Sequence, residues 1–476
     1  MTSDDERRPS ACTSILVGRQ ASLDGSIMIG RNEDSKASWP KHFVVHEEQT
    51  TTVAPIYKSK DNGFTTTLPL TALRYTATPE WTDKYGLFEE DGINSANVAM
   101  SATESAYSNE TVLAADPFVA DGIQEEAMVT VVLPYITTAR EGVARLGALL
   151  EQHGTTESNG ILFADDHEAW YMETAAGHQW VAQRIPDDGY AVVANQLAIQ
   201  TVDFTDSDNF MFAAGIKDFV NDHNLNPDRE GFNFRHIFGT HSVSDEMYNT
   251  PRVWIGQRMF NPEIDQEPTN EELPFIRRAS HKISLHEVQD FLSNHYEGTD
   301  YDPVGRGAHH PHDFRPISLA KTQESHILQL RPTMPTELKG VQWLAMGVAA
   351  QSNYVPFYTA INDTPTAYKR GTGRYAPTSA YWTFKLASTL WDAHYRHFER
   401  QYQQVRTDLR VTLGSQLAAS DATAMTLTGT ELTDFLTAAN DQAAKRALSA
   451  YRDLISTLVT ASTDFSPLNF STDENL

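Results

Sequence analysis

The 476-residue chain contains a single cysteine, Cys12. One cysteine cannot form an internal disulfide, so the fold must hold without one. Hydrophobic residues make up 40% of the chain, ample for a large core. Position matters as much as count. Cys12 stands in Ser10-Ala11-Cys12-Thr13-Ser14, directly ahead of the apolar run Ile15-Leu16-Val17. A cut between Ala11 and Cys12 would leave one residue carrying both a thiol nucleophile and a free α-amine able to act as its base. Met1 to Ala11 are charged (Asp4, Asp5, Glu6, Arg7, Arg8), have no apolar stretch suited to a signal peptide, and read as a leader removed by a specific, autocatalytic cut. The competing reading of a lone cysteine is a small buried hydrophobe.

The following residues predict a β-hairpin: a strand over Ser14 to Gly18, a turn at Ser22-Leu23-Asp24-Gly25, and a returning strand over Ser26 to Arg31. Such a hairpin returns Arg31-Asn32-Glu33-Asp34 to the side of Cys12. A cation there favours thiolate, and a carboxylate can hold an ammonium. The bland alternative is a solvated turn.

Ala11-Cys12-Thr13-Ser14, Asp24-Gly25-Ser26 and Arg31-Asn32-Glu33-Asp34 together resemble the start of the dipeptidase A family of cysteine N-terminal-nucleophile hydrolases. The resemblance continues through Asp91-Gly92-Ile93-Asn94, Val98 to Ser105, Glu173 to Trp180, Val192 to Gln196, Asn249 to Trp254 and Gln351 to Tyr358. It spans nearly the whole chain, with separated motifs in the right order. It implies the roles known in the related penicillin V acylases and bile salt hydrolases. Asp34 would hold the α-ammonium of Cys12, and Arg31 would sit beside the sulfur. Thr103 would supply a main-chain N–H to the oxyanion, and Asn195 its side-chain amide. Relatives carry Asn where this chain has Thr103, so only the main-chain role transfers. Arg252 is a further candidate active-site arginine.

The chemistry can be stated without the family. An α-amine titrates near 8 and a thiol near 8.5, so the amine can take the thiol proton and later return it to the leaving group. The resemblance implies an amidohydrolase acting on dipeptides with a free N-terminus through an acyl-enzyme, needing no metal or organic cofactor. Recognition of the substrate ammonium requires a carboxylate; Glu33 and Glu104, beside the catalytic motifs, are the candidates. Two rivals stand: an acylase for penicillin-type or bile-salt-type amides, and a non-enzymatic protein of the secernin kind.

Charge narrows the partners. With 63 acidic against 37 basic residues the formal charge is −26, which disfavours nucleic acid and anionic membranes. No apolar run reaches the ~20 residues that span a bilayer, and the cytoplasm is the expected compartment. The expected partners are small dipeptide substrates and further copies of the chain in a homo-oligomer.

Strands are predicted over 14–18, 26–31, 42–46, 97–103, 160–164, 169–173 and 190–194, with helices over 139–153, 378–411 and 438–461. Antiparallel strands with flanking helices give an α+β class, and the resemblance implies the four-layer αββα sandwich with a helical C-terminal part. Beyond the leader, 12–476 reads as one domain with loop insertions. Ala308-His309-His310-Pro311-His312-Asp313 lacks metal-site spacing and reads as a surface loop. The aromatic group Tyr375, Tyr381, Trp382, Phe384, Trp391 and Tyr395 reads as packing, and His178 and Trp180 as core or rim.

Overall fold

The computed structural model describes residues 12–466 and 468, apart from the side chains of 104 and 105. Residues 1–11, the expected leader, therefore lie outside the described residues. Thr13–Val17 and Ile27–Asp34 form the expected antiparallel hairpin, with Ser14 opposite Arg31 and Val17 opposite Met28. Asp24 makes the turn: its Oδ1 accepts from the Ser26 amide at 3.0 Å and the Ser26 hydroxyl at 2.6 Å. Gly25 follows at φ +78°, a conformation that costs glycine little.

The hairpin sits inside a seven-stranded sheet in the order Ile276–Arg278, Gly189–Val193, Thr13–Val17, Ile27–Asp34, Thr322–Leu330, Gly340–Met346, Val355–Tyr358. A second, eight-stranded sheet runs Phe210–Phe212, Gln179–Ile185, Ala169–Ala175, Ser158–Ala164, Ala99–Ala106, Asp91–Asn94, Tyr75–Ala77, Val44–His46. Every pairing in both is antiparallel. Ile27–Asp34 touches Ala99–Ala106 and Ser158–Ala164 across the gap between the sheets. Ala139–His153 covers Ser158–Ala164, Ala169–Ala175 and Gln179–Ile185, while Leu285–Leu292 covers Thr13–Val17, Ile27–Asp34 and Thr322–Leu330.

The two-residue period of the hairpin sorts its side chains accordingly. Leu16, Ile27 and Ile29 enter the core between the sheets. Ile15, Val17 and Met28 join Val288, Phe291 and Leu292 on the helix side. Each such side chain, fully buried, contributes about 1.5–3 kcal/mol of transfer free energy. A strand wanted by apolar partners on both faces has one register open to it.

The helix over 139–153 forms as expected. Thr138 caps it by accepting from the Glu141 amide, and Gly154, at φ +72°, ends it. The C-terminal region is helical but divided differently. Instead of one helix over 378–411 there are two, Ala380–Ala393 and Tyr395–Ala424, broken at His394 (φ −142°, ψ 47°). Trp391 decides the break: its indole N–H donates to the Tyr395 carbonyl, and its ring stacks on Tyr395 and Tyr402 with centroids 4.5 and 4.0 Å apart. The last helix, Gly429–Ser462, starts nine residues before the expected 438 because Leu432 and Leu436 already reach the core.

Several strands escape the periodicity argument, the longest of them Gln179–Ile185, Thr322–Leu330 and Gly340–Met346. In Thr322–Leu330 all nine residues are buried although Thr322, Gln323, Glu324, Ser325, His326 and Gln329 are polar. Most find partners in distant segments, as Thr322 does at Asp34, Ser325 at Tyr354 and Gln329 at Asp24, so no alternation of polar and apolar residues survives. Among the described residues no helix is long and apolar enough to cross a membrane.

Candidate active site

Cys12 is the residue before the first strand, 1% exposed. Extending the hairpin register one step places it opposite Glu33. Arg31 and Glu33, two apart on one strand, share a face and both reach the sulfur: Arg31 Nη1 lies 3.1 Å from Sγ, and Sγ lies 3.3 Å from Glu33 Oε2. Asn32 and Asp34 point the other way. Asn32 donates to the Leu292 carbonyl at 2.8 Å, and Asp34 accepts from Arg315 Nη2 at 2.5 Å and from the Thr322 hydroxyl.

Arg31 is fully buried and clamped on all sides. Nη1 donates to Glu33 at 2.5 Å, Nη2 to the Glu90 carboxylate at 2.7 Å, and Nε to Ser101 Oγ at 2.8 Å. Glu125 Oε1 stands 4.0 Å from Nη1. Lys41 holds the other oxygen of Glu90. Behind Ser101 lies His326, with Nε2 3.1 Å from Oγ and Nδ1 3.0 Å from both Asp91 and Glu324.

Burial raises the Cys12 pKa well above the ordinary thiol value, Glu33 adds to the rise, and Arg31 opposes it. Burial and Glu90 raise Glu33 to about 7. Glu90 goes the other way, to about 2, because Lys41 and Arg31 outweigh the cost of its burial. Burial, Glu90 and Glu33 lift Glu125 well above the carboxylate range. At neutral pH this environment keeps the thiol protonated.

Arginine dominates the opposite side. Arg252, in the first turn of helix Thr250–Phe260, donates Nη1 to the Cys12 carbonyl at 2.7 Å and Thr13 Oγ1 at 2.8 Å. Its Nη2 donates to Asn195 Oδ1 and Asn249 Oδ1, both at 2.7 Å, and its Nε to the Tyr248 carbonyl at 2.9 Å. All five N–H groups are used. Burial, with Arg315 nearby, lowers its pKa to about 9.

Asn195 is brought in by register: Ser14 faces Val193, and two further steps face Cys12 with Asn195. Because Arg252 occupies its Oδ1, the amide NH2 remains as the donor. Thr103 is buried, and its strand loses register against Ser158–Ala164 between Thr103 and Ala106. Thus Cys12, Arg31, Glu33, Asn195 and Arg252 form one connected cluster, with Asp34 joined to it through Arg315, which reaches Thr13 Oγ1 at 3.5 Å. The Glu104 side chain lies outside the described residues. Glu90, Glu125, Lys41, Arg315 and His326 are additions that sequence spacing does not signal, and Ser101 sits inside the Val98 to Ser105 motif without a role assigned to it there. The Asp91-Gly92-Ile93-Asn94 motif was the nearest pointer, since Glu90 directly precedes it. His178 bonds Asp116 and Trp180 bonds Glu151, away from this cluster.

The sequence profile of peptidase family C69 matches residues 11–408. A probable dipeptidase of Latilactobacillus sakei is 46% identical over 473 residues, 98% of each chain. Probable dipeptidase B of Lactococcus lactis subsp. lactis (strain IL1403) is 44% identical over 472 residues, 96% of each chain. Dipeptidase A of Lactobacillus helveticus is 40% identical over 442 residues, 91% of this chain and 93% of that protein.

Proposed function

The chain belongs to peptidase family C69, and we propose that it hydrolyses dipeptides with a free N-terminus using Cys12 as an N-terminal nucleophile. Cleavage after Ala11 frees the Cys12 α-amine, which takes the thiol proton as Sγ attacks the scissile carbonyl carbon. The carbonyl oxygen becomes an oxyanion, stabilised by the Asn195 amide and the Thr103 main-chain N–H; the register break after Thr103 supports a donor there. Collapse breaks the C–N bond, and the α-ammonium gives its proton to the departing amine. Water then adds to the thioester, loses a proton to the α-amine, and releases the second amino acid and the thiol.

Arg31 stabilises the thiolate, and Asp34, steadied by Arg315, balances the α-ammonium. Arg252 positions both the nucleophile's carbonyl and the oxyanion donor. The single observation that carries the reading is that bridge: one guanidinium bonds Cys12 O and Asn195 Oδ1 at 2.7 Å each. Two facing antiparallel sheets with helices outside support the four-layer αββα reading, and motifs in both sheets support 12–476 as one unit.

The test pairs intact mass with a substrate panel. A chain beginning at Cys12 that cleaves dipeptides, and loses about 10³-fold or more on Cys12→Ala, is expected. A chain that retains Ser10-Ala11 and still cleaves them removes the amine from the scheme. Turnover of penicillin V or a conjugated bile acid without turnover of dipeptides overturns the substrate class.

A further inference from the structure

The acidic side of the cluster carries more negative charge than its cations balance. Glu33, Glu90 and Glu125 each bring an oxygen to within 4.8 Å of the others, and all three are 2% exposed or less. Two cations meet them, Arg31 and Lys41. Glu80, 3.6 Å from Lys41, adds a further carboxylate at the partly exposed edge. One buried negative charge is left over, and an uncompensated buried charge is costly.

Glu125 is the least engaged of the three carboxylates. Glu33 and Glu90 are engaged by Arg31, and Glu90 by Lys41 as well. Glu125 Oε1 is buried and accepts no hydrogen bond among the described residues. An acidic residue in the first turn of a helix ordinarily serves the helix dipole. Here, at the start of Glu125–Val132, the carboxylate instead turns toward Arg31 and the thiol. A metal ion is a poor occupant, because the Arg31 guanidinium already stands among the three carboxylates.

We infer that Glu125, backed by Glu33 and Glu90, is the subsite that binds the α-ammonium of the substrate. The inference rests on the dipeptidase reading and adds to it the residue that demands a free N-terminus. In a dipeptide the ammonium nitrogen is one carbon from the scissile carbonyl, about 2.5 Å away. With that carbonyl about 3–3.5 Å from Sγ in an attack geometry, the ammonium nitrogen lies within about 6 Å of Sγ, and Glu125 Oε1, 4.0 Å from the Arg31 Nη1 that is itself 3.1 Å from Sγ, is a carboxylate oxygen within its reach. A monocation there neutralises the surplus. Without it, the raised proton affinities of Glu33 and Glu125 show the cage relieving the same surplus by taking up a proton.

The test compares a dipeptide with its des-amino analogue, identical but for the α-amine. Wild type should prefer the dipeptide in kcat/KM, and Glu125→Gln, which keeps shape and loses charge, should cut that preference by about 30-fold. An unchanged preference overturns the subsite. Binding supplies a second readout: in Cys12→Ala, calorimetry should show the dipeptide binding more tightly than the analogue, and Glu125→Gln should abolish the difference. If Glu125→Gln does not fold, Glu125→Asp replaces it and should retain part of the preference; full retention or equal loss on both ligands overturns the subsite. An ammonium-dependent affinity in a protein that cleaves no dipeptide would leave the subsite standing and remove the dipeptidase reading.

Discussion

The two sides of Cys12 solve the problem of buried charge in opposite ways. On one side Arg31 and Lys41 meet Glu33, Glu90 and Glu125, charge against charge, with anion in excess. On the other, Arg252 is surrounded by five neutral oxygens, and Asp34 is taken by Arg315. Neutral acceptors hold a guanidinium in place by geometry and give it nothing to exchange protons with. A surplus of carboxylates does the reverse, since protons and cations can enter and leave. The arginine side is therefore a rigid support, and the acidic side is the part that responds to substrate and pH.

That contrast breaks most severely at Arg252. Arg252→Met takes the donor from five acceptors at once, and should cost about 2–3 kcal/mol in urea unfolding and about 10³-fold in kcat. If it unfolds like wild type, the support role is wrong. Asn195→Ala tests the same side more narrowly: kcat should fall about 10²–10³-fold, with little change in unfolding. Turnover within about threefold of wild type would remove Asn195 from the oxyanion site.

The acidic side yields smaller, pH-dependent effects. Glu33 has a folded pKa of about 7, above its ordinary value. A raised carboxylate pKa means the folded state binds the proton more tightly, so this contribution to stability is present at low pH and is lost between about pH 4.5 and 7. Glu33→Gln should flatten that part of the stability profile; an identical slope in mutant and wild type would contradict it. His326 is the gentlest probe. Burial opposes its charge, but Asp91 and Glu324 raise its pKa to about 9. Its stabilisation is complete below about pH 6.5 and disappears as pH rises through about 9. His326→Gln should erase that alkaline loss and, through Ser101 and Arg31, lower kcat about tenfold with KM nearly constant. An unaltered alkaline profile would separate His326 from Arg31.

Much of the site was legible because it is local. Cys12, Arg31, Glu33 and Asp34 belong to one hairpin whose turn, Asp24-Gly25-Ser26, and apolar alternation can be read directly. Asn195 and Arg252 emerged through resemblance, and pairing register and helix position then brought them to Cys12. The long helices were legible as helical but not in their limits, since the break at His394 depends on Trp391 stacking across it.

What the sequence determined by itself is therefore the hairpin behind Cys12 and the charged residues that it returns to the thiol, because a two-residue period and a short turn leave little freedom. Tertiary structure alone decided the rest. Glu90, Glu125, Lys41, Ser101, Arg315 and His326 come from several separate segments, and the polar strand Thr322–Leu330, which carries His326, is buried against partners as distant as Asp34, Trp39, Ser101, Tyr354 and Asp24. Buried charge has no sequence period: its place is set by which distant partner can offset its desolvation, and that is known only once the chain has closed around it.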